Sequence, residues 1–381
     1  MRKSKLFVSS LVYFIAMIVL VGFYILLSKI DLSFLGDMGY DIFSTLIIQV
    51  VIILIIPFTL YTIIRKQNIK RTFAEFNFAK ISLKTLLYSV VVGVCCYFLN
   101  VLIASFFSNI IMLFGYEGIP SYSAGSAGTT TSEFFISLVL VAVLPAICEE
   151  VAHRGLLLGG FSRLGLKGSV LLSSLLFGLL HLNINQFFYA TVLGFLMAVV
   201  VVITKSIYPA MIMHFCNNGL SLYFALAQER GLFGHDILGV FQTFLTGSNA
   251  FVAFIGSFAI MTALVLVIVL CYIMLLRDTR MKKMKKLLKD VSSAETSSAD
   301  KEKLSRINPK ANPFSNTYLN NLKEINSMLV QYNITSEKDM IFKKEEREYH
   351  KPLPMEKVFI ISSIVLGAII TIFTFVWGIL W

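Results

Sequence analysis

The chain is 381 residues long, 57% hydrophobic and only 14% charged, with a mean hydropathy of +0.79. Length alone would suggest two or three soluble domains, but average soluble chains are about one quarter charged, so the composition excludes an ordinary soluble protein. The net charge of +11 does not mark a nucleic-acid partner, because the Lys and Arg residues sit between apolar runs, as they do when the partner is a bilayer.

Taken in chain order, the apolar runs predict an all-α, polytopic transmembrane helix bundle. A crossing needs about 20 apolar residues, which gives nine spans: Leu6–Leu27, Ser44–Ile64, Thr85–Phe107, Phe134–Leu156, Val170–Leu182, Phe187–Thr204, Ile207–Ala227, Ala250–Leu276 and Val358–Trp381. Arg2, Lys3 and Lys5 precede the first span. Its apolar run is too long for a signal-peptide core and no small-residue cleavage site follows, so it reads as a retained anchor. Placing the N-terminus inside puts 30 of the 33 Lys and Arg on the cytoplasmic side, and nine spans then put the C-terminus outside.

Four regions follow. Residues 1–84 hold two spans and a basic loop, 85–276 the polar-bearing core, 277–357 a cytoplasmic segment and 358–381 the last span. The outer loop Gly118–Ser132 is rich in Gly, Ser and Thr and is expected to be mobile. In the cytoplasmic segment, Met281–Lys289 reads as a basic extension of the eighth helix, Ser292–Asp300 as a flexible linker, and Tyr318–Tyr332 as one amphipathic helix with too few apolar residues for a core of its own. The five cysteines lie in apolar stretches without zinc-finger spacing, so they read as buried thiols.

Ionisable groups within spans are costly and point to function. The fourth span carries Glu149, Glu150, His153 and Arg154, the fifth His181, and the seventh His214 followed by Asn217 and Asn218. At ~1.5 Å per residue, Glu149 lies roughly 18 Å from Phe161, His181 roughly 17 Å from Val170 and His214 roughly 10 Å from Ile207. These depths are compatible with one shared pocket. Glu150 and Arg154 are i,i+4 neighbours and read as a structural ion pair, since a buried guanidinium needs a counter-ion. Glu149 points about 100° away, toward His181 and His214, while Asn218 shares a helix face with His214.

A carboxylate in a poorly hydrated pocket is suited to take a proton from water, and an imidazole can share that proton. An amide with a second imidazole can receive an oxyanion. No serine elbow of the GxSxG type and no HExxH occurs. A Glu with two or three His could still hold zinc, the set then being Glu149, His181 and His214. Cys148 reads as packing and Pro145 as a kink, while His153 reads as either modulating Glu149 or packing.

Three motifs stand in order: Glu149-Glu150-x-x-x-Arg154, Phe177-x-x-x-His181 and His214-x-x-x-Asn218. Together they resemble the CPBP (Abi) family of intramembrane proteases, which includes the type II CAAX prenyl endopeptidase. The resemblance covers about Phe134 to Ala227. It implies a helical membrane fold with a cytoplasm-facing cavity in which a membrane-associated or lipidated peptide is hydrolysed. By position, Glu149 would be the water-activating base assisted by His181, and His214 with Asn218 would stabilise the oxyanion. Glu150 and Arg154 would be structural. The family has been described both as metal-dependent and as glutamate-type; the residue set favours water activation without a metal cofactor, zinc being the alternative.

Richness in Ile, Lys and Asn suggests a bacterial cytoplasmic membrane. The competing function is a non-catalytic scaffold or bacteriocin self-immunity protein, holding another membrane protein through 277–381. A transporter is disfavoured by the lack of a second, corresponding polar cluster.

Overall fold

The computed structural model describes residues 4–117, 130–237, 250–293, 297–308, 311–331 and 351–380, and these are helices joined by turns and short loops, without a strand among them. Most of the loop 118–132 and the terminal Trp381 lie outside the described residues. The helices are α1 (Lys5–Leu27), α2 (Ser33–Ile64), α3 (Ile69–Glu75), α4 (Leu83–Met112), α5 (Thr131–Leu158), α6 (Gly165–Leu180), α7 (Ile184–Thr204), α8 (Tyr208–Arg230), α9 (Ala250–Ser292), α10 (Ser298–Arg306), α11 (Asn316–Gln331) and α12 (Pro354–Leu380). Seven are long and apolar enough to cross a membrane: α1, α2, α4, α5, α7, α9 and α12. Of the remaining two expected spans, α6 has only 16 residues, and α8 has the length but carries His214, Asn217 and Asn218.

Several helices start where a side chain can cap them. Ser4 accepts from Phe7 N at 3.1 Å, Ser82 from Thr85 N at 3.3 Å, and Thr130 with Glu133 forms a reciprocal capping box at the head of α5, which satisfies donors that have no partner within the helix. These caps set boundaries a few residues outside those read from hydropathy alone.

Two spans are not uniform α-helices. In α2 the stretch Leu46–Ile55 is π-helical, and in α5 so are Val139–Val143 and Val151–Leu158. Pro57 and Pro145 follow the first two closely. A proline gives no N–H to the carbonyl four residues back, which is Ile53 in one case and Val141 in the other. Widened turns of this kind occur often at functional sites, and all three surround the polar cluster described below.

The chain divides into two compact units, Met1–Ile268 with Lys344–Trp381, and Val269–Lys343. In the first, α6 packs along α7, α8 along α4, and α1 along α12, while Leu144–Glu150 of α5 lies against α8 and the π-helical part of α2. Close approach rests on glycines. A Cβ on Gly178 would overlap the Thr191 hydroxyl, and one on Gly93 would come within 2.7 Å of Cys216 Cβ. Such small residues let membrane helices meet at backbone distance.

The second unit corrects the reading of the cytoplasmic segment. Met284, Leu287 and Val291 of α9, Ile307, and Tyr318, Ile325 and Met328 of α11 form one buried cluster, with Leu304 of α10 packed against it. Ser297 caps α10 by accepting from Asp300 N at 3.2 Å, so the expected linker is helical from Ser298. Each piece alone has too few apolar residues for a core. The contiguous face of the three helices supplies what no single segment does.

Candidate active site

Glu149 and Glu150 stand at the end of an α-helical turn enclosed by the two π-helical stretches of α5. Being consecutive, they point to different sides of the helix. Glu150 is fully buried. Its Oε1 accepts from Arg154 Nη1 at 2.9 Å and from His214 Nδ1 at 3.0 Å. Arg154 is also buried; its Nη2 donates to the Gly194 carbonyl at 3.0 Å and its guanidinium lies 4.5 Å above the Phe177 ring. The expected i,i+4 ion pair is therefore present, with His214 of α8 as a third member that sequence spacing does not reveal.

A carboxylate only accepts hydrogen bonds, so the bond to Glu150 places the proton of His214 on Nδ1, an assignment made from the network. The opposite nitrogen, Nε2, lies 4.0 Å from Glu149 Oε2. The imidazole thus stands between the two carboxylates. Glu149 is 8% exposed, and its Oε1 accepts from Gln49 Nε2 of α2 at 2.8 Å. Its Oε2 is buried without a hydrogen-bond partner. Glu150 Oε2 is likewise buried without a partner; Glu149 Oε2 differs in lying 4.0 Å from His214 Nε2.

His181 is half-buried at the end of α6 and donates from Nδ1 to the Phe177 carbonyl at 2.9 Å, which in a neutral ring leaves Nε2 as an acceptor. It is within electrostatic reach of Glu149 and His214, although none of its hydrogen bonds goes to another candidate residue. Phe177 joins the set: its ring packs edge-on against His153, His181 and His214, with centroids 5.0, 5.2 and 5.8 Å away. This accounts for an aromatic at the first position of the Phe177-x-x-x-His181 motif. His153 bonds through Nδ1 to the backbone carbonyl of Glu149 at 2.9 Å and through Nε2 to the Tyr13 hydroxyl at 3.4 Å. It meets the backbone of Glu149 and not its carboxylate.

Asn218 is held by a chain of amides. Asn100 Nδ2 donates to Asn217 Oδ1 at 2.6 Å, Asn217 Nδ2 to Asn218 Oδ1 at 2.9 Å, and Asn218 Nδ2 to the Val141 carbonyl at 2.9 Å. Val141 lies four residues before Pro145, which has no N–H to offer it, and its carbonyl is the acceptor that fixes Asn218. An amide nitrogen carries two hydrogens, and one remains for a ligand. Sequence reasoning did not find Gln49 or Asn100. The available signal was that each is the lone carboxamide of its predicted span.

Among the described residues, no group of three or more His, Cys, Asp or Glu side chains could hold a metal ion. Glu149, His181 and His214 as placed do not form a ligand set.

Helices long and apolar enough to cross a membrane, enclosing a buried carboxylate beside an imidazole and an amide, define an integral membrane protein with a buried polar cluster. Residues 131–220 match the model of the Type II CAAX prenyl endopeptidase Rce1-like family, which supports the resemblance of this segment to the CAAX-protease (CPBP) family of membrane proteases. The matched segment contains all three motifs, while Gln49 and Asn100 lie outside it. No curated protein and no solved structure matches the chain.

Proposed function

We propose that the protein is an intramembrane endopeptidase that hydrolyses a peptide bond of a membrane-associated or lipidated peptide by water activated at Glu149. The observation that carries this reading is the buried, unpartnered Oε2 of Glu149, 4.0 Å from His214 Nε2. In the proposed reaction Glu149 Oε2 takes one proton of a water whose other O–H stays in place and donates a hydrogen bond to His181 Nε2. The hydroxide adds to the scissile carbonyl carbon. Asn218 donates its second N–H to the resulting oxyanion. His214 donates from Nε2, which requires its doubly protonated ring, with Glu150 holding Nδ1–H. As the tetrahedral intermediate collapses, the C–N bond breaks and Glu149 returns its proton to the leaving amine, so one water is consumed per bond cut.

Asn218 gives the test of the oxyanion assignment. Asn218→Ala is expected to lower kcat by about 100- to 1,000-fold with KM little changed, the range for losing one oxyanion donor. A KM increase at unchanged kcat would move Asn218 from the reacting centre to substrate binding. The proposed mechanism uses no metal. Purified protein is expected to keep its activity after chelator treatment; stoichiometric zinc whose removal abolishes cleavage would overturn that part.

We further propose nine crossings, with α6 and α8 traversing as part of the bundle, the N-terminus inside and the C-terminus outside, in a bacterial cytoplasmic membrane. The separate core of Val269–Lys343 favours a second role beside catalysis, the holding of another membrane protein by that unit.

A further inference from the structure

The catalytic carboxylate of the proposed reaction is held from outside the matched domain. Gln49 is the lone carboxamide of α2 and lies in its π-helical stretch Leu46–Ile55, which packs on the segment Leu144–Glu150. Its Nε2 donates to Glu149 Oε1 at 2.8 Å. The orientation of this amide is forced, because the carboxylate can only accept. The Gln49 carbonyl oxygen consequently faces away and is itself buried without a partner. A buried acceptor left unpaired is unfavourable, and an apolar residue at position 49 would avoid it. The arrangement therefore has a use besides packing. Restraining Oε1 presents the other oxygen, Oε2, toward His214 Nε2.

We propose that Gln49 is a positioning residue for hydrolysis: it fixes the rotation of the Glu149 carboxylate so that Oε2 is the oxygen that takes the proton from water. The inference rests on the hydrolytic reading of the site. It also extends the working enzyme to α2, so that residues 131–220 alone are an incomplete active site.

The test uses the full-length protein in cells whose own copy is replaced by wild type, Gln49→Met, Gln49→His or Glu149→Gln. Peptide termini present with wild type and absent with Glu149→Gln supply a cleavage sequence, and a synthetic peptide of that sequence is the kinetic probe for the purified proteins. Gln49→Met keeps length and removes the donor. It is expected to accumulate normally and to lose about 10- to 100-fold in kcat, the scale of an ångström-sized misplacement, with KM within about twofold. Gln49→His, whose Nε2–H reaches a similar point, is expected to restore kcat to within about tenfold of wild type.

Wild-type kcat in Gln49→Met, with Glu149→Gln inactive, would overturn the positioning role and leave the hydrolytic reading standing. A raised KM with unchanged kcat would overturn it as well. If Gln49→Met fails to accumulate, Gln49→His decides, since a folded protein with the donor restored and kcat still down 100-fold contradicts the proposal. Identical termini from wild type and Glu149→Gln would remove both readings together.

Discussion

Glu150→Gln is expected to bring the amount of protein in the membrane down severalfold, before any question of activity arises. Glu150 is fully buried, and one oxygen, Oε1, receives both Arg154 Nη1 and His214 Nδ1. Replacing the carboxylate by an amide leaves the Arg154 guanidinium, 1% exposed, without its counter-ion. Breaking a buried pair from one side costs about 3–5 kcal/mol, comparable to much of the roughly 5–15 kcal/mol that holds a folded protein together. The double variant Glu150→Gln with Arg154→Met removes the stranded charge and is expected to recover part of the abundance. Immunoblots of membranes and thermal unfolding in detergent check both. Wild-type abundance of Glu150→Gln would show that the pair does not support the fold.

Glu149→Gln is expected to give the opposite separation: normal abundance and loss of cleavage by about 100- to 10,000-fold, the contribution of a general base. The substitution keeps the shape of the side chain, and position 149 can still accept from Gln49 Nε2. What it removes is the anionic Oε2 near His214. In the proposed reaction that group acts in the transition state and not in holding substrate, so the loss is expected to fall on kcat. The two substitutions are therefore expected to separate neighbouring carboxylates, Glu150 lowering abundance and Glu149 lowering cleavage.

The helical class was readable from composition because a bilayer leaves the backbone few alternatives: its polar groups must be satisfied within the segment. The ion pair was readable because i,i+4 spacing is local. The position of His214 between Glu149 and Glu150 was not, since it depends on how α8 packs against α5. The π-helical stretches also escaped a reading built on a period of 3.6, although Pro57 and Pro145 mark carbonyls that lose their usual donor. Pro145 read as a kink alone; its consequence at Val141 appears only once Asn218 is brought to that carbonyl. Gln49 and Asn100 were passed over because uncharged amides are tolerated in membrane bundles as helix-to-helix contacts. The core of Val269–Lys343 was missed for a different reason, because its apolar residues are shared among helices each too weak to be noticed singly.

The proposed activity requires Glu149 to act as the base of a peptide-bond hydrolysis. The direct measurement is mass spectrometry of peptide termini in membranes and medium from cells making equal amounts of wild type or Glu149→Gln. Hydrolysis at Glu149 predicts a set of new carboxyl termini present with wild type and absent with the variant. The same termini in both, at matched protein levels, would contradict it and leave a helical membrane protein whose buried polar cluster serves the fold alone.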